Sequence, residues 1–129
     1  MKRILVYGSL RRGHRAHRSL EIRHAQFIKE VRVPGFDLLA LGWYPGIKEN
    51  PENKDGFLGE LYEIPDHLWD ELIQHLDYYE GYFPDNLERS LFLRTEIEIE
   101  GHPTTVYTYN GKTSNELVVK VQSGDWNAA

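Results

Sequence analysis

Ile4-Leu5-Val6-Tyr7-Gly8-Ser9-Leu10-Arg11-Arg12-Gly13 is the stretch around which the rest of the chain can be read. The apolar run from Ile4 to Tyr7 reads as a short buried strand. Gly8-Ser9 ends it abruptly. Glycine accepts φ > 0, so the chain is expected to turn sharply there and expose consecutive backbone N–H groups. Donors that point one way suit a carboxylate, a phosphate or a developing oxyanion. Gly8 and Gly13 fit neither a GxGxxG fingerprint nor a P-loop, which needs Lys-Ser/Thr at its end.

With 129 residues, 40% hydrophobic and 27% charged, the chain reads as one globular domain spanning 1–129. It has no cysteine, which excludes disulfides, thiol nucleophiles and cysteine metal sites. No apolar run is long enough to span a bilayer, and none at the start resembles a secretory signal, so a soluble cytoplasmic protein without membrane contact is expected. The net charge of −5 argues against broad nucleic-acid binding. That charge is uneven. Lys2, Arg3, Arg11, Arg12, Arg15, Arg18 and Arg23 face only Glu21 within the first 25 residues. The asymmetry can steer an anionic ligand toward the loop after Tyr7, although a solvated polar segment is the simpler reading of most of those arginines. His14, His17 and His24 lack further ligands at usable spacing, so no metal site is expected.

Residues 11–24 are polar, with room for one short helical turn. Gln26 to Leu41 alternates but is interrupted by Pro34-Gly35, giving two strands or one bent strand. Gly42 to Ile47 reads as an aromatic turn or a short edge strand, and Glu49 to Asp55 as an exposed, mobile loop. Phe57 to Ile64 is a strand, with a bulge or a close backbone approach at Gly59. Leu68, Trp69, Leu72, Ile73, Leu76 and Tyr79 predict a helix over 66–79, capped by Asp66 and closed by a left-handed Gly81. Leu91 to Ile99 alternates, Gly101-His102-Pro103 turns the chain, and Thr105 to Tyr109 pairs back as a hairpin. Leu117, Val118 and Val121 suggest a terminal helical turn, and Trp126 is expected to dock. Turn-linked strands with one main helix imply an α+β fold, with a mixed, mostly antiparallel sheet curved toward a barrel, rather than a doubly wound one.

Asp77-Tyr78-Tyr79-Glu80-Gly81 breaks a local rule. A helix C-terminus carries partial negative charge and favours cations, yet this helix ends in two carboxylates three residues apart. Both the helix end and the like charge disfavour ionisation, and burial among Tyr78, Tyr79 and Tyr82 would disfavour it further. A glutamate tuned upward in this way is suited to general acid/base work near neutral pH.

The chain resembles the gamma-glutamylcyclotransferase-like family. Tyr7-Gly8-Ser9-Leu10 is similar to that family's first turn, and Leu76-Asp77-Tyr78-Tyr79-Glu80-Gly81 to its Leu-Asp-x-x-Glu-Gly segment. Tyr44-Pro45-Gly46-Ile47, Gly59-Glu60-Leu61-Tyr62, Val106-Tyr107 and Gly124-Asp125-Trp126 add weaker matches in the same order. Phe92-Leu93-Arg94 departs from the family's Tyr-x-Arg by one hydroxyl. The resemblance implies a small, mixed, mostly antiparallel β-barrel with flanking helices and a pocket between the first turn and Glu80. It implies release of 5-oxoproline from a small gamma-glutamyl amine or amino acid, with Glu80 as general acid/base. Tyr7, Gly8, Ser9 and Leu10 would hold the substrate, and the chemistry needs no metal and no cofactor. The alternative function is a non-catalytic module that binds a small carboxylate in the same pocket. A weaker reading places RNA on Arg11, Arg12, Arg15 and Arg18.

Overall fold

The alternation of β1 (Lys2–Val6) sets the layers of the molecule. In the computed structural model, which describes residues 1–111 and 118–128, Ile4 and Val6 join one hydrophobic cluster. Leu5, and Tyr7 just past the strand, join another. Successive strand residues point to opposite faces, so an unbroken apolar run means that both faces are covered. The remaining strands are β2 (Gln26–Val33), β3 (Phe36–Ala40), β4 (Pro45–Glu49), β5 (Phe57–Ile64), β6 (Phe92–Ile99), β7 (His102–Tyr109) and the short β8 (Val119–Lys120). They form a five-stranded sheet in the order β2-β5-β1-β7-β6 and a three-stranded sheet in the order β4-β3-β8. All pairings are antiparallel except β1 with β7.

The helices are α1 (Arg18–Glu21) and α2 (Asp66–Glu80), beside three short 3-10 turns. Leu72 and Leu76 of α2, with Leu20 of α1, pack with Ile4, Val6, Tyr62 and Ile64 on one side of the large sheet. Leu38 and Ile47 of the small sheet meet Leu5, Phe57, Leu61 and Val106 on the other. The fold is thus α+β, as expected, but the two sheets do not close into a barrel among the described residues. The outer strands β2 and β6 carry Lys29, Glu30, Arg32, Arg94, Glu96 and Glu98, charges that protect a free sheet edge.

Several local expectations change. Pro34-Gly35 separates β2 from β3 so completely that they lie in different sheets. Of the two alternatives at Gly59, the bulge is absent, the irregularity falling in β2 between Phe27 and Lys29. The close approach holds: an added Cβ would lie 2.8 Å from Leu5 Cδ1 and 3.2 Å from the Val6 carbonyl oxygen. The loop from Glu49 to Asp55 is exposed at Pro51, Glu52, Lys54 and Asp55, but it is stitched to the start of β3. Asn53 Nδ2 donates to Asp37 Oδ1 at 2.7 Å and to the Phe36 carbonyl at 3.0 Å. Asp66 is the first helical residue, and Pro65, with its fixed φ, precedes it as the cap. Gly81 is left-handed, at φ 68° and ψ 39°. The β6–β7 turn is made by Glu100 and Gly101, both at positive φ, and leaves His102 and Pro103 in the strand. The expected terminal helical turn is a strand, because Val119 and Lys120 pair with Ala40 and Leu39; Leu117 lies outside the described residues. Trp126 packs on the second cluster, as expected.

Candidate active site

The site forms where β1 runs out of the large sheet. Arg11 N–H donates to the Gly8 carbonyl at 3.0 Å, closing a tight turn over Gly8-Ser9-Leu10-Arg11. Gly8 is required here for a reason other than positive φ, which it does not adopt. A Cβ at this position would run into Cγ of Pro45, the first residue of β4. The small sheet is therefore locked against the turn through a contact only glycine allows. Gly8→Ala is expected to cost about 1–3 kcal/mol through overpacking. Urea denaturation of the variant checks this, and an unchanged midpoint would mean that the loop yields freely.

A second lock holds the outer end of the turn. Glu60 of β5 is buried and accepts from Arg12 N–H at 2.9 Å, Arg11 Nε at 3.1 Å and the Tyr62 hydroxyl at 2.8 Å. Burial alone would raise the Glu60 carboxyl, but these hydrogen bonds outweigh it and hold its pKa below the usual range. Arg11 is buried as well, and it also reaches Asp125 at 2.7 Å and Glu30 at 3.2 Å. Arg11 therefore braces the turn instead of standing in solvent, whereas Arg12, Arg15 and Arg18 are exposed, as a solvated polar segment would have them. Arg12 pairs with Glu60 and stacks 3.9 Å over the Phe27 ring. Among the described residues, none accepts from the N–H groups of Gly8, Ser9 or Leu10.

Glu80 arrives from the far end of α2. Tyr7, Gly8, Ser9, Leu10 and Glu80 line one cavity of about 260 Å³, walled otherwise by apolar and aromatic side chains including Tyr44, Pro45, Leu91, Phe92 and Tyr107. Among the described residues that line it, Glu80 alone carries a carboxylate, and Lys, Arg and His are absent. Glu80 as a whole is half-buried, yet its carboxyl lies deep enough that burial pushes its pKa up to about 7. No described residue donates a hydrogen bond to it. Tyr78 and Tyr79 do not supply that burial, being 85% and 46% exposed.

The neighbouring Asp77 takes a different part. Its oxygens accept from the Tyr107 hydroxyl at 2.7 Å and from Arg94 at 2.8 Å, so this helix-end carboxylate is matched by a cation from β6. Burial raises the Tyr107 hydroxyl well above its usual range, and the bond to Asp77 adds to the rise. Tyr7 donates its buried hydroxyl to the Tyr107 carbonyl at 2.6 Å. Burial, with the Glu80 charge behind it, keeps Tyr7 neutral. Ser9 Oγ and the Tyr79 hydroxyl share a hydrogen bond of 2.7 Å, tying the turn to the last turn of α2. Phe92 is buried, packing its ring at 6.0 Å from Tyr109 and 6.3 Å from Tyr44. A hydrocarbon edge thus stands where the family pattern has a phenol.

The raised Glu80 has a consequence for stability. Between about 4.5, its ordinary value, and about 7, the folded protein keeps a proton that the unfolded chain releases. Stability therefore falls as pH rises through that window. Glu80→Gln is expected to gain about 1–3 kcal/mol over the parent above pH 7 and nothing below pH 4.5. Chemical denaturation at pH 4 and pH 8 measures the difference. An equal gain at both values would show that Glu80 is not destabilised by its burial.

The structure brings together all five residues expected at the site. Sequence reasoning gave Tyr107 no part in the site and did not foresee the Asp77–Arg94 pair or the Arg11–Glu60 clamp. The Val106-Tyr107 match to the family and the Tyr-x-Tyr alternation of β7 were the available signals for Tyr107. Among the described residues no metal-binding group of three His, Cys, Asp or Glu side chains occurs, and no helix is long and apolar enough to cross a membrane.

Residues 4–128 match the family described as gamma-glutamyl cyclotransferase, AIG2-like. Among solved structures, the ytfP protein of Escherichia coli is 27% identical, with a TM-score of 0.67 over 96% of this chain and 95% of its own. An AIG2-like protein from Mus musculus is 26% identical, with a TM-score of 0.62 over 85% of this chain and 78% of its own. An uncharacterized protein from Pyrococcus horikoshii shares the fold at 20% identity, with a TM-score of 0.70 over 98% and 91% of the two chains. No curated protein matches the sequence.

Proposed function

The chain belongs to the gamma-glutamyl cyclotransferase, AIG2-like family, and from that premise we propose that it releases 5-oxoproline from a small gamma-glutamyl amide. The observation that carries the reading is the single proton-tunable carboxylate, Glu80, facing the Gly8–Leu10 turn across one apolar cavity.

A gamma-glutamyl substrate holds its own nucleophile. The α-amine attacks the γ-carbonyl, forming the ring C–N bond as the bond to the leaving amine breaks. Glu80 takes the proton that the α-amine sheds and returns it to the departing nitrogen, so atoms and protons balance without water. A pKa near neutrality lets one group both accept and donate that proton. The N–H groups of Gly8, Ser9 and Leu10 are suited to the substrate α-carboxylate. Tight walls favour the folded-back conformer that brings amine and carbonyl together. The buried Tyr7 and Tyr107 hydroxyls, already bonded elsewhere, shape the wall rather than titrate.

The test is 5-oxoproline formation from a panel of gamma-glutamyl amines and amino acids. Product that disappears in Glu80→Gln supports the reading. No product from any compound removes it, and thermal stabilisation by the same compounds without turnover would identify a carboxylate-binding module instead.

A further inference from the structure

Trp43 is 85% exposed and belongs to neither hydrophobic cluster. It sits at the tip of the β3–β4 hairpin, after Gly42, whose φ of 94° makes the tight turn. The tip is nevertheless held in place. Leu41 N–H donates to the Tyr44 carbonyl at 2.8 Å, Trp43 meets the Tyr44 ring edge-on at 5.1 Å, and Pro45 is wedged against Gly8. The geometry therefore presents an indole at a fixed place on the rim of the Glu80 cavity.

A second hollow of about 510 Å³ adjoins that cavity. The two share Ser9, Trp43, Tyr44, Pro45 and Tyr79 as a common wall, and the Ser9–Tyr79 hydrogen bond lies within it. His14, the exposed Arg15, Ala16 and Trp126 complete the outer hollow. Three of the five shared residues are aromatic, and Trp126 adds a fourth ring. A guanidinium at the edge can also lie over an aromatic guest.

We propose that this outer hollow receives the leaving amine, and that Trp43 selects amines bearing an aromatic group. The inference rests on the cyclotransferase reading above and goes beyond it by naming the substrate class. The gamma-glutamyl half occupies the inner cavity between the turn and Glu80. The scissile amide lies at the shared wall, and the substituent on its nitrogen passes outward between Trp43 and Tyr79 to stack against the indoles. An alkyl substituent leaves those rings in water, while a carboxylate there meets the exposed Arg15 and also His14, whose Nε2 is already bonded to Asn127 Oδ1 at 2.7 Å.

Three probes separate the possibilities: the γ-L-glutamyl derivatives of phenethylamine, ethylamine and glycine. The phenethylamide is expected to exceed the ethylamide in kcat/KM by about tenfold or more, as an aromatic group filling an apolar subsite should. Trp43→Ala is expected to collapse that ratio, with the change carried in KM for the phenethylamide, and Trp43→Phe to restore most of it. Equal or better turnover of the ethylamide or the glycine derivative overturns the inference while leaving the cyclotransferase reading standing. A ratio unchanged in Trp43→Ala does the same. No 5-oxoproline from any of the three, with turnover of another compound of the panel, overturns the inference alone; none from the whole panel removes both.

Discussion

Under the proposed cyclotransferase chemistry, Glu80→Gln is expected to lower 5-oxoproline release by about 10²–10⁴-fold, the usual cost of deleting a positioned general acid/base. The amide keeps the shape of the acid and removes only its proton traffic. No hydrogen bond from a described residue depends on the Glu80 carboxyl, so the fold is retained. In the proposed reaction the ionised form of Glu80 starts the proton transfer, so kcat/KM of the parent is expected to climb with pH and level off above about 7. The residual activity of the variant lacks that rising limb. Progress curves with a gamma-glutamyl amide across pH 5–9 measure both features together. Retention of full activity, or an unchanged limb in the variant, would assign the proton transfer elsewhere. The expected stability gain of the same variant at alkaline pH completes the picture: the site holds a charge the fold would rather not bury.

Arg11→Met is expected to destabilise the protein by about 3–5 kcal/mol, the typical result of leaving one half of a buried ion pair without its partner. Glu60 would keep its bonds from Arg12 N–H and Tyr62 but lose its charge partner. Because the Glu60 and Asp125 pKa values are held low in the folded protein, their contribution is full above the ordinary carboxylate range and fades as pH falls. The gap between parent and variant should thus be wide at pH 7 and narrow at pH 3. Adding Glu60→Gln to Arg11→Met should recover part of the loss, since the orphaned charge goes with it. Denaturation midpoints for the two single variants and the double variant test the coupling. Strict additivity would show that Arg11 and Glu60 act independently.

The legible parts of the sequence were those governed by neighbours along the chain. β5, α2 and the β6–β7 hairpin follow from periods of two and 3.6, and Gly81 ends the helix as its position suggests. The first turn and Glu80 stood out because each breaks a local pattern. What escaped was set by distant partners. The acids around Arg11 come from positions 19, 49 and 114 residues away, so its burial left no trace in a run that looks solvated. Gly8 is fixed by Pro45, not by its own φ. Asp77 looked misplaced because Arg94 lies two elements further on. Among the described residues the two sheets do not close, and β3 lies in a different sheet from β2 across Pro34-Gly35, a choice alternation alone does not reveal.

β1 lies between β5 and β7, antiparallel to one and parallel to the other. A nascent polypeptide leaving the ribosome must therefore keep its first apolar segment unsatisfied on one side until residue 105 and its neighbours have emerged. Such long-range closure is slow, and it exposes a sticky edge in the meantime. Synthesis cannot deliver a working pocket piecemeal, and dependence on chaperones during translation should be concentrated in that interval.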